Sequence, residues 1–88
     1  MASYNVLLKP SVKKDIRSLP KSVLKRLWAR IESLSTDPLP RQSVKLAGAE
    51  QLYRIRVGDY RIIYSLDEHS KQVIVYYVRH RSEAYRRL

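Results

Sequence analysis

Arginines occur at a spacing that suits a phosphate-binding surface. Arg54 and Arg56 alternate along an apolar run. Arg61 follows Gly58-Asp59, where a tight turn is expected before a second apolar run. If the two runs pair as a hairpin, the three guanidinium groups lie close together and repel one another unless an anion joins them. Guanidinium groups bind phosphate bidentately, so the pattern indicates a phosphate ligand; arginine stems that only cover apolar neighbours are the alternative.

A second group of candidate residues lies near the C-terminus, in the segment Arg79-His80-Arg81 and at Tyr85. Histidine ordinarily exchanges protons near neutral pH, and cationic neighbours favour its neutral form, which can act as a base. The alternative for His80 is a hydrogen-bonded residue at a strand end. Tyr85 can stack on a base or donate its hydroxyl, or it can pin a terminal helix to the sheet.

The net charge of the chain indicates which classes of binding partner are expected. Its 88 residues carry 18 Lys and Arg against 8 Asp and Glu, a formal net charge of +10. Such a domain attracts polyanions, which leaves nucleic acid, an anionic membrane surface or an acidic protein, beside the alternative of a merely soluble basic domain. The length suits a single domain spanning residues 1–88.

Composition and motifs argue against disulfides, metal sites, several kinds of active site and a membrane location. The chain has no cysteine and two histidines, which argues against disulfides and against a zinc site. No Gly-rich phosphate loop or paired-carboxylate motif is present, and we predict neither a metal nor a cofactor. The N-terminus does not resemble a signal peptide and no apolar run approaches about 18 residues, so we predict a cytoplasmic protein without a membrane partner.

Hydrophobic spacing predicts the elements that position these residues. An apolar stripe that includes Trp28 indicates a long second helix with this ring in the core. A period of two in residues 52–57 and 60–66 puts the arginines opposite the core-facing side chains. Ser11 is a candidate helix N-cap. The predicted elements are strand 4–8, helices 12–19 and 20–34, strands 52–57, 60–66 and 73–78, and a short helix 82–88.

This order, β-α-α-β-β-β-α, predicts an α+β fold in which two N-terminal helices pack on a small antiparallel sheet. The run at 73–78 is apolar on both faces, which indicates a central strand. Two consecutive hairpins then bring the C-terminal group of candidate residues beside the arginines of the first hairpin.

The chain resembles the RelE/ParE superfamily of bacterial toxins, specifically its RelE branch of ribosome-dependent mRNA endonucleases. Three stretches carry the resemblance: Lys-Leu-Ala-Gly at 45–48, Leu-Tyr-Arg-Ile-Arg-Val-Gly-Asp-Tyr-Arg-Ile-Ile-Tyr at 52–64, and Val-Arg-His-Arg-Ser-Glu-Ala-Tyr at 78–85. The resemblance implies a RelE-like fold, a concave basic surface that holds mRNA in the ribosomal A site, and attack of a 2′-OH on the adjacent phosphate. It also implies a cognate acidic antitoxin that wraps the toxin and covers its basic face.

The resemblance further implies site residues. Arg61 and Arg79 would stabilise the phosphorane, while His80 would take the proton or Tyr85 would share it, a contribution of about 10²–10⁴-fold. Such toxins can carry Lys where this chain has Arg54 and Arg56, and Arg is a poor general base. The predicted catalytic set is Arg54, Arg56, Arg61, Arg79, His80 and Tyr85, with RNA contacts from Lys45, Arg81, Arg86 and Arg87.

Two other functions stay open. A non-catalytic toxin like ParE would inhibit DNA gyrase through protein contacts on the same scaffold. A plain RNA-binding domain would show affinity without product. The clustered arginines favour the nuclease, because a gyrase inhibitor does not need several adjacent phosphate ligands.

Overall fold

The computed structural model of the chain describes residues 3–46, 48 and 51–82. Its elements are β1 (Asn5–Leu8), α1 (Pro10–Arg17), α2 (Lys21–Ser33), β2 (Val44–Lys45), β3 (Leu52–Val57), β4 (Tyr60–Asp67) and β5 (Gln72–His80). The strands form one sheet in the order β1-β5-β4-β3-β2, so β5 is an interior strand. Neither α1 nor α2 is long and apolar enough to cross a membrane. The predicted α+β architecture is confirmed.

The core lies between the two helices and one face of the sheet. The buried side chains of α1 and α2 pack against alternate residues of β3, β4 and β5, as the period of two in these strands predicts. Trp28 is partly buried and packs on this core, which supports its assignment to the apolar stripe. The fully buried large side chains are Tyr64, Leu27, Leu34, Ile55, Ile62, Val12, Val73 and Val75.

The β3–β4 hairpin fixes the spacing of the arginines. Its two-residue turn, Gly58-Asp59, joins the paired residues Val57 and Tyr60, and Gly58 has a φ of 61°. Hairpin turns of this length need positive φ, which glycine adopts without steric cost. A Cβ on Gly58 would also lie 3.3 Å from the guanidinium of Arg26. Glycine therefore suits both the turn and the close approach of α2.

Three details differ from the sequence-based predictions, and a fourth prediction is described only in part. β1 pairs with β5 in parallel, so the sheet is mixed rather than wholly antiparallel. The two-residue β2 is an additional edge strand, too short to leave a periodic signal. The hydroxyl of Ser11 does not cap α1, where Lys9 is the N-cap, and instead donates to the carbonyl of Tyr76 at 2.9 Å. Arg81 and Ser82 are helical, while the remainder of the predicted last helix lies outside the described residues.

Tyr64 holds the loop after α2, and its burial should make the stability of the fold depend on pH in the alkaline range. Its hydroxyl donates to the carbonyl of Pro38 at 2.7 Å. Burial, partly offset by a hydrogen bond from Ser43, raises the pKa of Tyr64 from 10.0 to about 12. The folded state therefore keeps this proton where the unfolded chain releases it. The free energy of unfolding should therefore not depend on this group below about pH 10. Between pH 10 and about 12 it should fall by about 1.4 kcal/mol per pH unit.

Urea denaturation at several alkaline pH values checks this prediction. Tyr64→Phe loses the hydrogen bond to Pro38 but should have a flatter pH dependence than the wild type between pH 10 and 12. The exposed Tyr77→Phe variant is the control and should follow the wild type. Parallel wild-type and Tyr64→Phe curves would contradict the prediction.

Candidate active site

Four arginines meet on the face of the sheet opposite the helices. Arg56 on β3 pairs with Arg61 on β4, and Arg61 pairs with Arg79 on β5, which makes one continuous row across three strands. Arg54 lies two residues from Arg56 on the same face of β3. Directly paired residues have Cβ atoms about 4.5–5.5 Å apart, so these guanidinium groups can reach one ligand together. We call Arg54, Arg56, Arg61 and Arg79 the arginine cluster.

Burial increases from the edge of the cluster to its centre. Arg56 is exposed and Arg54 is half-buried, whereas Arg61 is 4% exposed. The Nε of Arg54 is buried and has no hydrogen-bond acceptor among the described residues. A polar donor removed from water costs free energy unless it finds an acceptor, and an anion at the cluster would supply one. Low exposure also strengthens attraction to such an anion because water screens it less.

Arg79 is the member of the cluster with the best-defined contacts. Its Nη1 forms an ion pair with the Oδ2 of Asp15 on α1. Its guanidinium carbon lies 4.9 Å from the centre of the Tyr77 ring, a cation–π contact. Neither Asp15 nor Tyr77 was predicted as a site residue. Asp15 is an acidic residue in an otherwise basic helix, but its partner lies 64 positions along the chain, so local sequence carries no signal for the pair.

An open groove lined by aromatic, aliphatic and polar residues lies along this face of the sheet. A shift of register at Ile63/Tyr64 leaves Tyr76 as an extra residue of β5, and Tyr76 and Tyr77 both line the groove. Such a β-bulge disrupts the strict alternation of side chains. Arginines beside tyrosines can bind phosphates and stack bases of one single strand. The other lining residues are Gln51, Leu52, Ile63, Ser65, Asp67, Gln72 and Ile74.

His80 lies apart from the arginine cluster. It pairs with Tyr60 rather than with Arg61, and successive residues of a strand point to opposite faces. Its ring makes an edge contact with Tyr60 at 5.4 Å between centroids, and its Nδ1 lies 3.1 Å from the hydroxyl of Ser82. The structure therefore does not bring the predicted base to the arginines, and its contacts match the alternative of a hydrogen-bonded residue at a strand end.

The remaining predicted site residues lie away from the arginine cluster or outside the described residues. Lys45 is exposed but pairs with Tyr53, which puts it on the face of the sheet away from the cluster. Arg81 is exposed beside the β3–β4 turn, where its backbone N–H donates to the carbonyl of Asp59 at 2.7 Å. Tyr85, Arg86 and Arg87 lie outside the described residues.

The position of His80 leads to a prediction about its substitution. If the chain cleaves RNA, as its resemblance implies, we expect His80→Ala to change the cleavage rate less than tenfold, because the His80 ring faces Tyr60. This is below the usual contribution of a general base, which is about 10²–10⁴. Cleavage rates of purified His80→Ala and wild-type protein, with melting temperatures as a check on folding, test this. A loss of a hundredfold in a folded variant would restore His80 as the proton acceptor.

Comparison with known proteins shows which family the chain belongs to. The model of the family described as ParE toxin of type II toxin–antitoxin system, parDE, matches residues 6–85. The chain belongs to this ParE toxin family. It is therefore a member of the RelE/ParE superfamily that the sequence resembles.

Relatives of this ParE-family chain carry RelE names. A toxin RelE1 from Methanocaldococcus jannaschii is 33% identical over 86 residues, which are 94% of this chain and 96% of the relative. The archaeal RelE–RelB complex from Pyrococcus horikoshii contains a chain that is 34% identical, with a TM-score of 0.82 and coverage of 90% of this chain and 96% of that one. The toxin–antitoxin complex RelBE2 from Mycobacterium tuberculosis gives 28% identity, a TM-score of 0.78 and coverage of 90% and 99%.

Proposed function

We propose that this ParE-family toxin is a ribosome-dependent endoribonuclease that cleaves mRNA in the ribosomal A site. The observation that carries the proposal is the row Arg56, Arg61 and Arg79, three cations at directly paired positions of neighbouring strands on one face of the sheet. Like charges paired across strands destabilise a sheet, and an anionic ligand shared among them would offset this repulsion. A phosphate of single-stranded RNA fits both the cluster and the aromatic groove beside it.

In the proposed reaction, the 2′-OH of one nucleotide attacks the adjacent phosphate and the 5′-oxygen of the next nucleotide leaves. The 2′-OH loses its proton as it attacks, and the departing 5′-oxygen takes up a proton to become a 5′-OH end. The other product is a 2′,3′-cyclic phosphate, which water can hydrolyse to a 3′-phosphate. Arg61 and Arg79 stabilise the charge that accumulates on the phosphorane oxygens, an effect of preorganised donors. Arg54 and Arg56 hold the flanking backbone. Tyr85 remains a candidate for sharing the proton of the attacking hydroxyl.

RNA affinity should depend on salt through the arginine cluster. Each phosphate contact of single-stranded RNA contributes about 0.7 to the slope of log K against log salt, so four contacts give about 2.8, or a loss of about 50-fold between 50 and 200 mM salt. Arg56→Ala should reduce the slope by about 0.7. Lys25→Ala on the outer face of α2 removes the same charge and should leave it unchanged. Fluorescence titrations of an RNA oligonucleotide check both, and equal slopes for the two variants would contradict the assignment.

We also propose a cognate acidic antitoxin as the partner that restrains the toxin. The related chains from Pyrococcus horikoshii and Mycobacterium tuberculosis are toxins in complexes with antitoxins. The net charge of +10 favours an acidic partner, and a segment lying on the arginine cluster would block access of RNA. Protein that is harmless when expressed and binds no acidic partner would count against this part of the proposal.

A second candidate function is inhibition of DNA gyrase. The family model that matches the chain is that of ParE toxins, and this observation favours the gyrase alternative. The two functions separate when the toxin is induced in cells. Arrest of protein synthesis before any DNA damage supports the nuclease, whereas DNA breaks with continued translation support gyrase inhibition.

Replacement of the attacking hydroxyl tests the proposed chemistry. Ribosomes programmed with an mRNA that carries a single 2′-deoxynucleotide at the cleaved position should bind the toxin but resist cleavage. The matched all-ribose mRNA should be cut to a 5′-OH product. Equal cleavage of both messages would exclude attack by the 2′-OH.

A further inference from the structure

Helix α1 replaces an edge strand along the second half of β5. β1 ends at Leu8, opposite Val75, and the chain then turns into α1. From this helix the hydroxyl of Ser11 donates to the carbonyl of Tyr76 at 2.9 Å, and the Oδ2 of Asp15 accepts from the N–H of Val78 at 3.5 Å. Ser11 and Asp15 are four residues apart and share one side of the helix. Two side chains of α1 thus contact backbone groups of β5 beyond the end of β1.

The carboxylate of Asp15 continues from this edge to the arginine cluster. The same Oδ2 pairs with Nη1 of Arg79, which also donates to the carbonyl of Val78 at 3.4 Å. The two side chains are 24% and 21% exposed, so solvent screens their attraction less than on an open surface. With the cation–π contact to Tyr77, two neighbours hold the guanidinium of Arg79. Among the described residues, Arg79 donates hydrogen bonds through Nη1, so its Nε and Nη2 can donate to an anion.

We propose that Asp15 is a positioning residue that holds Arg79 in the arginine cluster for reaction with an RNA phosphate. The inference rests on the proposed function. Arg79 is paired beside Arg61, and mutual repulsion would drive its flexible side chain away from the row. The carboxylate opposes this repulsion from the side away from Arg61. A donor already fixed when charge develops contributes more to the reaction than one that must first be ordered.

The Asp15 carboxylate should have opposite effects on the rate of the chemical step and on the affinity for RNA, so kinetics can test the proposal. Asp15 improves the geometry of Arg79 but also adds a negative charge close to the site of an anionic substrate. Its removal should therefore slow the chemical step without weakening attraction of RNA. A residue that only stabilises the fold would not separate these two quantities.

Asp15→Asn is the variant that tests this, because the amide oxygen can still accept from the N–H of Val78 while the charge is lost. On programmed ribosomes we expect kcat to fall by about 10- to 100-fold, with KM unchanged or lower. Asp15→Glu should recover part of kcat because it restores the carboxylate. Glu32→Gln on α2 makes the same chemical change at an exposed position and should behave as the wild type. A kcat within twofold of the wild type, or equal loss through higher KM, would overturn the proposal.

Arginine NMR gives a readout that does not require cleavage. In the wild type the Nε–Hε signal of Arg79, assigned from its absence in Arg79→Lys, should be resolved from those of exposed arginines. In Asp15→Asn it should move to the exposed-arginine position. An unchanged signal in Asp15→Asn would show that the carboxylate does not hold Arg79. If the wild type cuts no RNA, the proposed function fails, and this spectrum alone decides whether Asp15 positions Arg79.

Discussion

Arg61→Ala should lower the rate of mRNA cleavage by about 10²–10³-fold, the usual cost of removing one preorganised donor to a transition-state anion. Arg61 is the central member of the row, between Arg56 and Arg79, and it is 4% exposed. Its guanidinium therefore approaches a phosphate with little competing water. Single-turnover cleavage on programmed ribosomes measures the chemical step directly.

Matched variants separate the loss of charge from the loss of volume. Alanine at a buried position leaves a cavity, so Arg61→Met is the variant that fills the space without a charge. It should be as slow as Arg61→Ala and melt at a higher temperature. Arg61→Lys keeps a charge without the planar fork and should lie between these variants and the wild type. A fully active and folded Arg61→Met protein would remove Arg61 from the proposed mechanism.

Arg79→Ala should also lower cleavage, by about 10²-fold or more, because it removes the second donor to the phosphorane. Arg79→Ala also leaves an acidic partner behind: Asp15 would then face the site without its ion pair and repel the substrate. KM should therefore rise as kcat falls. Steady-state kinetics of Arg79→Ala measure this. Lys25→Ala, which removes a cation from α2 at a distance from the cluster, is the control.

The double variant tests whether the two arginines act on one phosphate. Groups that act as a unit are strongly non-additive. Arg61→Ala combined with Arg79→Ala should therefore lose much less activity than the product of the two single effects. Multiplying losses would mean that the two arginines contact separate parts of the substrate independently.

The strand period predicts much of the fold and the grouping of the arginines. Alternation in β3 and β4, with Gly58-Asp59 between them, predicts which side chains face the core and that Arg56 and Arg61 share one face. The long apolar stripe predicts α2 to within one residue of its bounds. These features depend on neighbours close in sequence, where backbone geometry and hydrophobic period act directly.

Contacts between distant segments could not be predicted in the same way. The parallel pairing of β1 with β5 and the Asp15–Arg79 ion pair join residues more than 60 positions apart, and no local pattern specifies them. The predicted strand ends at residue 78, whereas β5 continues to His80, and alternation separates His80 from Arg79 only in this longer strand.

The measurement that tests the nuclease proposal most directly is primer extension on mRNA from a translating extract to which the purified toxin has been added. The account predicts new 5′ ends inside translated codons, absent when translation is blocked before elongation and absent with Arg61→Met. Intact mRNA in an extract that translates normally, with wild-type toxin present, would contradict it and leave gyrase inhibition or RNA binding without cleavage.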